Sequence, residues 1–524
     1  MKRRDFCKGL AVTFAAGTLA PAAALPQAGA ATALVGRAVP DDYYTLWYRS
    51  DRCGADLRHD YYYSDSLFDH PATEYDNQLA LATLGMAAAA DCPWESDQRY
   101  WMEGEVGRAD HIRDAFAKLG FTEVQLFNYI HSLNDTPDTV GCAIARKTLV
   151  RGGRQVTIIG AFLRGSGYGA EWSGNLHAGP GSAHVGFVTA ARQLVEKIRA
   201  YVQVSAKRQP LGTLKLWMGG YSRGGGVANL VAARLPAVLP QLEKKNTFVY
   251  TFAAPASLTA ADCPDLQQDY DNNHAADGSL KKNWGTSNIF NIVSSGDVIP
   301  RILPAEWGFY RNGNDRFLPS TVIPEELQAL NDRSAGMEGT PMDFGRLAVT
   351  EETDAVLRSM LDLFCDRQTY YKGYEDAMRC MLQCATTRTE EEVTRGIVRD
   401  DAAVVAQLRS MELMQRFPQE KVERCVQAAS ALSRPVLEKL GSAVPLQAQQ
   451  IVIPMLAVGL CFELQPETVQ LVADFVLSTI TVKGQLSGIL KTVLCHFQEN
   501  YITVLEAYDP ADHGMTPYTR REEL

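Results

Sequence analysis

The 524-residue sequence lacks the features of several large classes of protein. It has 51 basic against 61 acidic residues and a net charge of −10, and no basic stripe interrupts it. This balance argues against a nucleic-acid partner and gives no reason to expect an anionic membrane surface as a partner. No feature indicates an oligomeric state. With 46% hydrophobic and 21% charged residues, the composition is that of an ordinary globular protein, long enough for two to four folding units.

Cysteine and cofactor motifs are also scarce. Eleven cysteines in a chain of this length are too few for a scaffold held together by disulfides. Cys380 and Cys384 stand one helical turn apart, but no histidine or second pair lies near them in the sequence. They are interpreted as packing residues or as a bridge rather than as metal ligands. No cofactor motif is present, so we expect neither a cofactor nor a metal.

The N-terminus has the pattern of an export signal. Residues 2–8 read KRRDFCK, which resembles a twin-arginine signal, and an apolar stretch follows over residues 9–24. That stretch is short and broken by proline at positions 21 and 26, which disfavours the alternative of a membrane anchor. We expect residues 1–30 to be a signal peptide read by the twin-arginine machinery. The protein would then be bacterial and extracytoplasmic, either periplasmic or secreted.

A glycine-rich turn around Ser222 is the most informative part of the chain. Residues 220–224 read G-Y-S-R-G, between an apolar strand-like run at 213–218 and a helix-like run at 225–235. Strand, sharp turn and helix form the context of a nucleophile elbow, which exposes a serine oxygen at the edge of a sheet. The helix that follows would direct its N-terminal amides at an oxyanion formed there.

A second apolar run, residues 156–162, predicts a buried strand and ends just before Ser166. Acyl transfer requires two hydrogen-bond donors for the developing oxyanion. One is the amide after the nucleophile, here Arg223, and the other comes from the loop after a neighbouring strand, where Ser166 stands.

These motifs resemble the class 3 lipase family of α/β-hydrolases. The matching features, in order, are residues 162–166, Trp172, Asn175, residues 184–187, Ser222, residues 250–255 and residues 291–300. The resemblance covers roughly residues 140–310 and a short C-terminal piece. Tyr221 stands where the family usually has histidine, and Arg223 where leucine is common, which indicates a bacterial side branch.

Asp297 is the predicted acid of a catalytic triad. The α/β-hydrolase order is serine, then acid, then histidine, and the acid follows a strand. Residues 288–293 read as that strand, and the resemblance places the catalytic aspartate at the same position. Asp262 and Asp265 also follow a strand, but they lack the apolar lead-in and rank lower.

Two histidines follow the acid and its long insertion. His496 precedes an apolar run at residues 501–505 that can anchor it, whereas His513 lies in a polar tail. We therefore predict His496 as the base, with His513 as the alternative. His184 precedes the elbow, and we expect a structural role for it near the oxyanion loop.

The predicted architecture is an α/β-hydrolase fold with a mostly parallel central sheet and a large helical insertion between the acid and the histidine. Its divisions are residues 1–30 (signal), 31–135 (helical or irregular leading segment, with helices at 77–90 and 111–119), 136–310 (hydrolase core), 311–485 (helical insertion) and 486–524 (segment returning the histidine). Helical periodicity within the insertion predicts helices at 350–365, 374–387, 401–416, 421–440, 447–464 and 468–480. The insertion could cap the pocket or merely brace the sheet, and the sequence favours neither.

The sequence thus predicts an exported serine hydrolase that cleaves carboxylic esters of small molecules or lipids. Ser222 would be the nucleophile, His496 the base and Asp297 the group that orients it, while the amides of Ser166 and Arg223 would hold the oxyanion. Two alternatives stay open. One is a non-catalytic lipid- or glycan-binding protein on the same fold, and the other is a peptidase or acyltransferase with the same triad.

Overall fold

The structure is a computed structural model, and it describes most of the chain after residue 36. The described residues are 37–50, 55–91, 105–129, 137–167, 169–180, 183–259, 286–294, 296–303, 307–318, 370–386, 399–440, 446–469, 495–511 and 514–517. The predicted signal segment, His513, Asp262 and Asp265 lie outside them. Among the helices in these ranges, none is both long and apolar enough to cross a membrane.

The central element is a seven-stranded sheet with the order β11-β9-β7-β6-β5-β4-β3. Five neighbouring strands, β5, β6, β7, β9 and β11, run parallel, and β4 and β3 join antiparallel at one edge. The strands are β1 (Asp42–Ser50), β2 (Ala55–Tyr63), β3 (Thr122–Phe127), β4 (Cys142–Arg151), β5 (Arg154–Leu163), β6 (Thr213–Tyr221), β7 (Thr247–Phe252), β8 (Leu258–Thr259), β9 (Ile289–Ser294), β10 (Phe309–Tyr310), β11 (Asn314–Leu318), β12 (Tyr508–Ala511) and β13 (Gly514–Pro517). The predicted mostly parallel sheet is confirmed.

Helices cover both faces of the sheet. The described helices are α1 (Asn77–Ala90), α2 (Glu105–Lys118), α3 (Gly169–Gly174), α4 (Val185–Arg208), α5 (Arg223–Val238), α6 (Glu375–Thr386), α7 (Asp401–Ser410), α8 (Gln419–Leu440), α9 (Leu446–Cys461) and α10 (Gln498–Ala507). One hydrophobic core joins the sheet to α1, α2, α10 and the β1–β2 hairpin, and a second joins it to α4 and α5. The central strands are therefore buried on both sides, which explains their continuous apolar runs.

Helix α1 shows how the sequence determines the first core. Asp76 caps its N-terminus, where the side chain accepts a hydrogen bond from the Leu79 amide. Its sequence, NQLALATLGMAAAA, is apolar on every side, and almost all of the helix is buried. The two helices predicted in the leading segment are both present, as α1 and α2.

The leading segment also contains strands that the sequence did not predict. An antiparallel hairpin pairs β1 with β2, and β3 forms one edge of the main sheet. At the opposite edge, β11 lies beyond residue 310, so the sheet is wider than residues 136–310 on both sides. Edge strands are half exposed and mix polar with apolar residues, as in the sequence NDRFL of β11, so they lack the buried-strand signal.

A helical region, the described residues 370–469, follows the acid and precedes the histidine in the chain. Its hydrophobic core is built mainly from α6, α7, α8 and α9, and it continues into the sheet region at Ala178, Ala256, Leu303 and Phe309. Four of the predicted helices of the insertion correspond to these elements, although the one predicted at 401–416 ends at Ser410. The helix predicted at 350–365 lies outside the described residues, as does most of the one predicted at 468–480.

Candidate active site

Ser222 occupies a tight turn between β6 and α5. Its backbone is strained, with φ 53° and ψ −124°, while its amide donates to the Phe252 carbonyl at 2.9 Å. The glycines on either side are required by close approach. A β-carbon at Gly220 would lie 2.4 Å from the carbonyl oxygen of Gly224, and one at Gly224 would lie 2.4 Å from that of Leu163. The turn therefore has the geometry of a nucleophile elbow.

His496 lies between Ser222 and Asp297. Its Nε2 is 2.9 Å from the Ser222 Oγ, and its Nδ1 is 2.8 Å from Oδ2 of Asp297. The carboxylate accepts from Nδ1–H, so Nε2 is left to accept the serine proton. The imidazole is 17% exposed and the carboxylate is fully buried, so substrate can approach the first while the second is shielded.

The Asp297 carboxylate is held by two further donors. Oδ1 accepts from the Ile299 amide at 2.9 Å, and Oδ2 accepts from the Tyr501 hydroxyl at 2.8 Å. That hydroxyl in turn accepts from the Ser294 amide at 3.1 Å. Burial, and then the charge of Asp297, raise the pKa of Tyr501 well above its usual range. The phenol thus stays protonated and donates to the carboxylate.

Tyr221, just before the nucleophile, holds the histidine segment. Its hydroxyl donates to the His496 carbonyl at 2.8 Å, and its ring packs edge-on against Tyr501. Burial raises the pKa of Tyr221 well above its usual range, so this hydroxyl also remains a donor. The tyrosine that departs from the family pattern thus connects the elbow to the segment of His496.

Ser166 lies at the carboxyl edge of the sheet, three residues after the end of β5. Because β5 and β6 are parallel and Leu163 pairs with Gly220, Ser166 and Ser222 leave the sheet at the same edge. The Ser166 hydroxyl accepts from the Asn175 side chain at 2.8 Å. Ser166, in the loop after β5, and Arg223, the first residue of α5, therefore both lie at the edge of the sheet where Ser222 lies.

The Arg223 side chain is buried beside this loop, a role that the sequence did not indicate. Its guanidinium donates to Asn175 Oδ1 at 2.8 Å and to the carbonyls of Pro137 and Thr139. It also lies over the Phe187 ring, 5.2 Å from its centroid. Asn175 thus bridges the Arg223 side chain to the Ser166 hydroxyl, so the elbow and the loop are cross-linked.

His184 has the structural role expected of it. It caps α4 by accepting from the Phe187 amide at 3.2 Å, and its Nε2 contacts the Asn175 carbonyl at 3.0 Å. Burial lowers the pKa of His184 to about 3, opposed by the hydrogen bond to Asn175 and reinforced by Arg223. The ring is therefore neutral at ordinary pH. It contacts Asn175, the residue that donates to the Ser166 hydroxyl.

No group of histidine, cysteine and carboxylate side chains in the described parts of the chain is arranged to hold a metal ion. The side chains that surround Ser222 are hydrogen-bond donors, acceptors and one imidazole. A set of groups of this kind can carry out nucleophilic acyl transfer.

One family of known proteins matches the part of the chain that contains the site. The class 3 lipase family matches residues 166–307, which contain the elbow and Asp297. The resemblance to class 3 lipases and the α/β-hydrolase type of fold are confirmed, and the match supports an ester hydrolase that acts on lipids. No curated protein sequence is significantly similar to this chain.

Solved structures with a similar fold include three fungal proteins. The Rhizomucor miehei lipase in complex with its propeptide is 20% identical, with 46% of this chain and 68% of that chain covered and a TM-score of 0.30. Lipase II from Rhizopus niveus is 17% identical, with 46% and 80% covered and a TM-score of 0.29. An MDLA variant from Penicillium cyclopium is 19% identical, with 49% and 82% covered and a TM-score of 0.29.

Proposed function

We propose that the protein hydrolyses carboxylic esters of lipids through an acyl-enzyme on Ser222. The observation that supports this most strongly is the unbroken hydrogen-bond chain from Ser222 through His496 to Asp297, at 2.9 and 2.8 Å. A serine so placed loses its proton to the imidazole as it attacks.

In the acylation step, the Ser222 oxygen attacks the ester carbonyl carbon while His496 Nε2 takes the hydroxyl proton. The carbonyl oxygen becomes an oxyanion, which the amides of Arg223 and Ser166 stabilise together with the N-terminus of α5. His496 then returns the proton to the departing alcohol. Water, activated by the same imidazole, releases the acid and regenerates Ser222.

Reaction with a fluorophosphonate, followed by peptide mapping, tests the nucleophile. We expect the label on Ser222 in the wild-type protein and none in Ser222→Ala. Ser257→Ala is the control, because Ser257 also lies beside α5 but is fully buried, and its hydroxyl contacts the carbonyls of Gly226 and Pro255 at 3.5 Å rather than an imidazole. Wild-type protein that is folded but takes no label would contradict the proposal and favour a non-catalytic binding protein.

A panel of p-nitrophenyl esters and emulsified triacylglycerols then separates lipid esters from other acyl substrates. Hydrolysis of long-chain esters supports the lipid assignment. Cleavage of amides without ester hydrolysis would favour the peptidase alternative, and acyl transfer to an added alcohol in preference to water would favour an acyltransferase.

We also propose that residues 1–30 direct export by the twin-arginine route. The support is the KRRDFCK sequence at residues 2–8 and the short apolar stretch after it. Cell fractionation tests this: replacement of both Arg3 and Arg4 by lysine should keep the protein in the cytoplasm. Unchanged export of that variant would contradict the proposal.

A further inference from the structure

Asp91 connects two parts of the site that are far apart in the sequence. Its Oδ1 accepts from the Gly165 amide at 3.0 Å, and its Oδ2 accepts from the Gln498 side chain at 2.6 Å. Gly165 directly precedes Ser166, and Gln498 comes two residues after His496. One carboxylate therefore contacts both the oxyanion loop and the histidine segment.

Gly165 permits the close approach of this carboxylate. A β-carbon at position 165 would lie 3.0 Å from Oδ1 of Asp91, which is tighter than ordinary packing allows. Any other residue would have to displace the carboxylate or the loop. Gly165 thus has a specific partner in Asp91, which lies outside the segment that matches the lipase family. That segment begins at residue 166.

The carboxylate is carried by a rigid element. Asp91 immediately follows α1, and its amide donates to the Ala88 carbonyl at 3.1 Å. Tyr129 donates to the carbonyl of Ala90 at 2.8 Å, which fixes the end of the helix from the other side. Because α1 is buried almost throughout, its end serves as a fixed point for both loops.

We propose that Asp91 is a positioning residue that sets the separation of the oxyanion donors from the imidazole. It is not itself in contact with the reacting atoms and acts through Gly165 and Gln498. The proposal rests on the function proposed above, in which the Ser166 amide binds the oxyanion and His496 is the base. Loss of the carboxylate should let the two segments shift relative to each other, and a displacement of about 1 Å can lower turnover about 10²-fold.

Asp76 offers a matched control at the other end of the same helix. It is a buried aspartate whose carboxylate accepts from the Leu79 amide, at the opposite end of α1 from Asp91. Replacement of either aspartate by alanine removes a hydrogen-bonded carboxylate from one end of α1. Only the Asp91 change should alter catalysis beyond its effect on stability.

The test compares kcat, KM and Tm for Asp91→Ala, Asp91→Asn, Gln498→Ala and Asp76→Ala on a short p-nitrophenyl ester, at a temperature where all are folded. We expect Asp91→Ala to lower kcat about 10²-fold and to change KM less than about threefold. Asp76→Ala should lower Tm and keep kcat within about threefold. Gln498→Ala breaks one of the two bonds, so its loss of kcat should be smaller than that of Asp91→Ala.

Asp91→Asn provides the rescue. The asparagine oxygen can still accept from the Gly165 amide. The asparagine NH2 group can donate to the Gln498 side-chain oxygen if the Gln498 amide group flips by 180°. We expect it to recover most of the wild-type kcat. If Asp91→Ala does not fold, Gln498→Ala and Asp91→Asn decide the matter, because a wild-type kcat for Gln498→Ala would then overturn the proposal.

Two other results would overturn it: an Asp91→Ala variant with wild-type kcat, or one whose loss is equalled by Asp76→Ala. An Asp91→Asn variant as slow as Asp91→Ala would contradict the hydrogen-bond explanation. These failures differ from that of the proposed function, because in each of them the wild-type protein still hydrolyses the ester and carries the fluorophosphonate on Ser222.

Discussion

The sheet region and the helical region bury different kinds of side chain. In the sheet region, buried polar groups form connected networks: Asp297 with Tyr501 and His496 at the carboxyl edge, and Asn229 of α5 with Asn291 and Asn312 farther from that edge. In the described helical region, the core consists mainly of methionine, cysteine, valine and alanine. Its ion pairs, such as Lys421–Glu463 and Arg434–Asp401, lie at the surface.

This difference indicates which region can hold a set of polar side chains in one fixed arrangement. A buried polar group is costly unless hydrogen bonds satisfy it, and a satisfied network fixes its members in one arrangement. The network of Asp297, Tyr501 and His496 lies at Ser222, whereas exposed ion pairs contribute little. The helical region contacts the site through Tyr370, which donates to the Leu176 carbonyl at 2.9 Å, and through Glu375, which accepts from the Gly179 amide at 2.9 Å.

The largest effect is expected from His496→Ala. It should lower turnover about 10⁴-fold or more, as should Ser222→Ala, and the double variant should be no slower than either, because the two side chains act as one unit. Steady-state kinetics on a short ester measure this. His513→Ala should lose less than about tenfold, as expected of a tail residue. The reverse pattern would assign the base to His513, and no loss in either would remove the triad proposal.

Tyr501→Phe should have an intermediate effect. The change removes the donor to Asp297 Oδ2, and a hydrogen bond to a charged group is worth about 1.5–3 kcal/mol, so we expect kcat to fall roughly tenfold or more with KM unchanged. Tyr250→Phe is the control, because the Tyr250 hydroxyl also accepts a hydrogen bond from a backbone amide, that of Asp76 at 3.2 Å, away from the triad. Equal losses of kcat in both variants would show a general packing effect instead.

The comparison also shows how far the sequence determines the site. The elbow and the strand before Asp297 could be predicted because strand, turn and helix signals lie within a few residues of each other. His496 lies within hydrogen-bond distance of Ser222, as its apolar anchor indicated, and Tyr501 of that anchor is the residue that donates to Asp297. The catalytic roles themselves remain predictions.

Other features could not be predicted because they join distant parts of the chain. The contact of Asp91 with Gln498 spans 407 positions, and neither residue stands in a recognisable motif. Arg223 is a similar case. Its backbone amide was predicted as an oxyanion donor, but the contacts of its side chain with Thr139 and Asn175 depend on the fold of residues 137–139. The edge strands β3 and β11 escaped detection because half-exposed strands carry mixed residues.

A smaller effect, on stability, is expected from His184. The folded protein keeps this imidazole neutral, since burial lowers its pKa from 6.5 to about 3. The unfolded chain therefore binds the extra proton first as the pH falls. The contribution of His184 to stability is complete above pH 6.5 and is lost progressively as the pH falls towards 3.

Chemical denaturation of wild type and His184→Asn between pH 4 and pH 8 measures this. Asparagine is itself a good helix N-cap, so the variant should fold. It should be less stable at pH 8, where it lacks the contact to Asn175, but its stability should fall less steeply below pH 6.5. Parallel stability curves would show that His184 is not the linked group.

The smallest effect is expected where the helical region meets the sheet region. Burial raises the pKa of the Glu375 carboxyl, opposed by the Gly179 amide, His177 and Arg379. A carboxyl with a raised pKa stabilises the fold below the ordinary pKa of 4.5, and that contribution is lost as the pH rises through the raised value. Glu375→Gln keeps an acceptor for Gly179 and removes the charge.

The stability of Glu375→Gln relative to wild type should therefore increase from pH 4 to pH 7.5. Denaturant midpoints at the two pH values measure it. Glu463→Gln is the control, since that carboxylate is exposed and pairs with Lys421, so the effect of this change should not increase with pH in the same direction.

The same Glu375→Gln variant tests whether the helical region caps the pocket. If the helical region only braces the sheet, kcat of Glu375→Gln stays at the wild-type value. A changed KM for long-chain esters with an unchanged KM for short ones would show instead that the helical region, held by Glu375 against the loop after Ser166, caps the pocket.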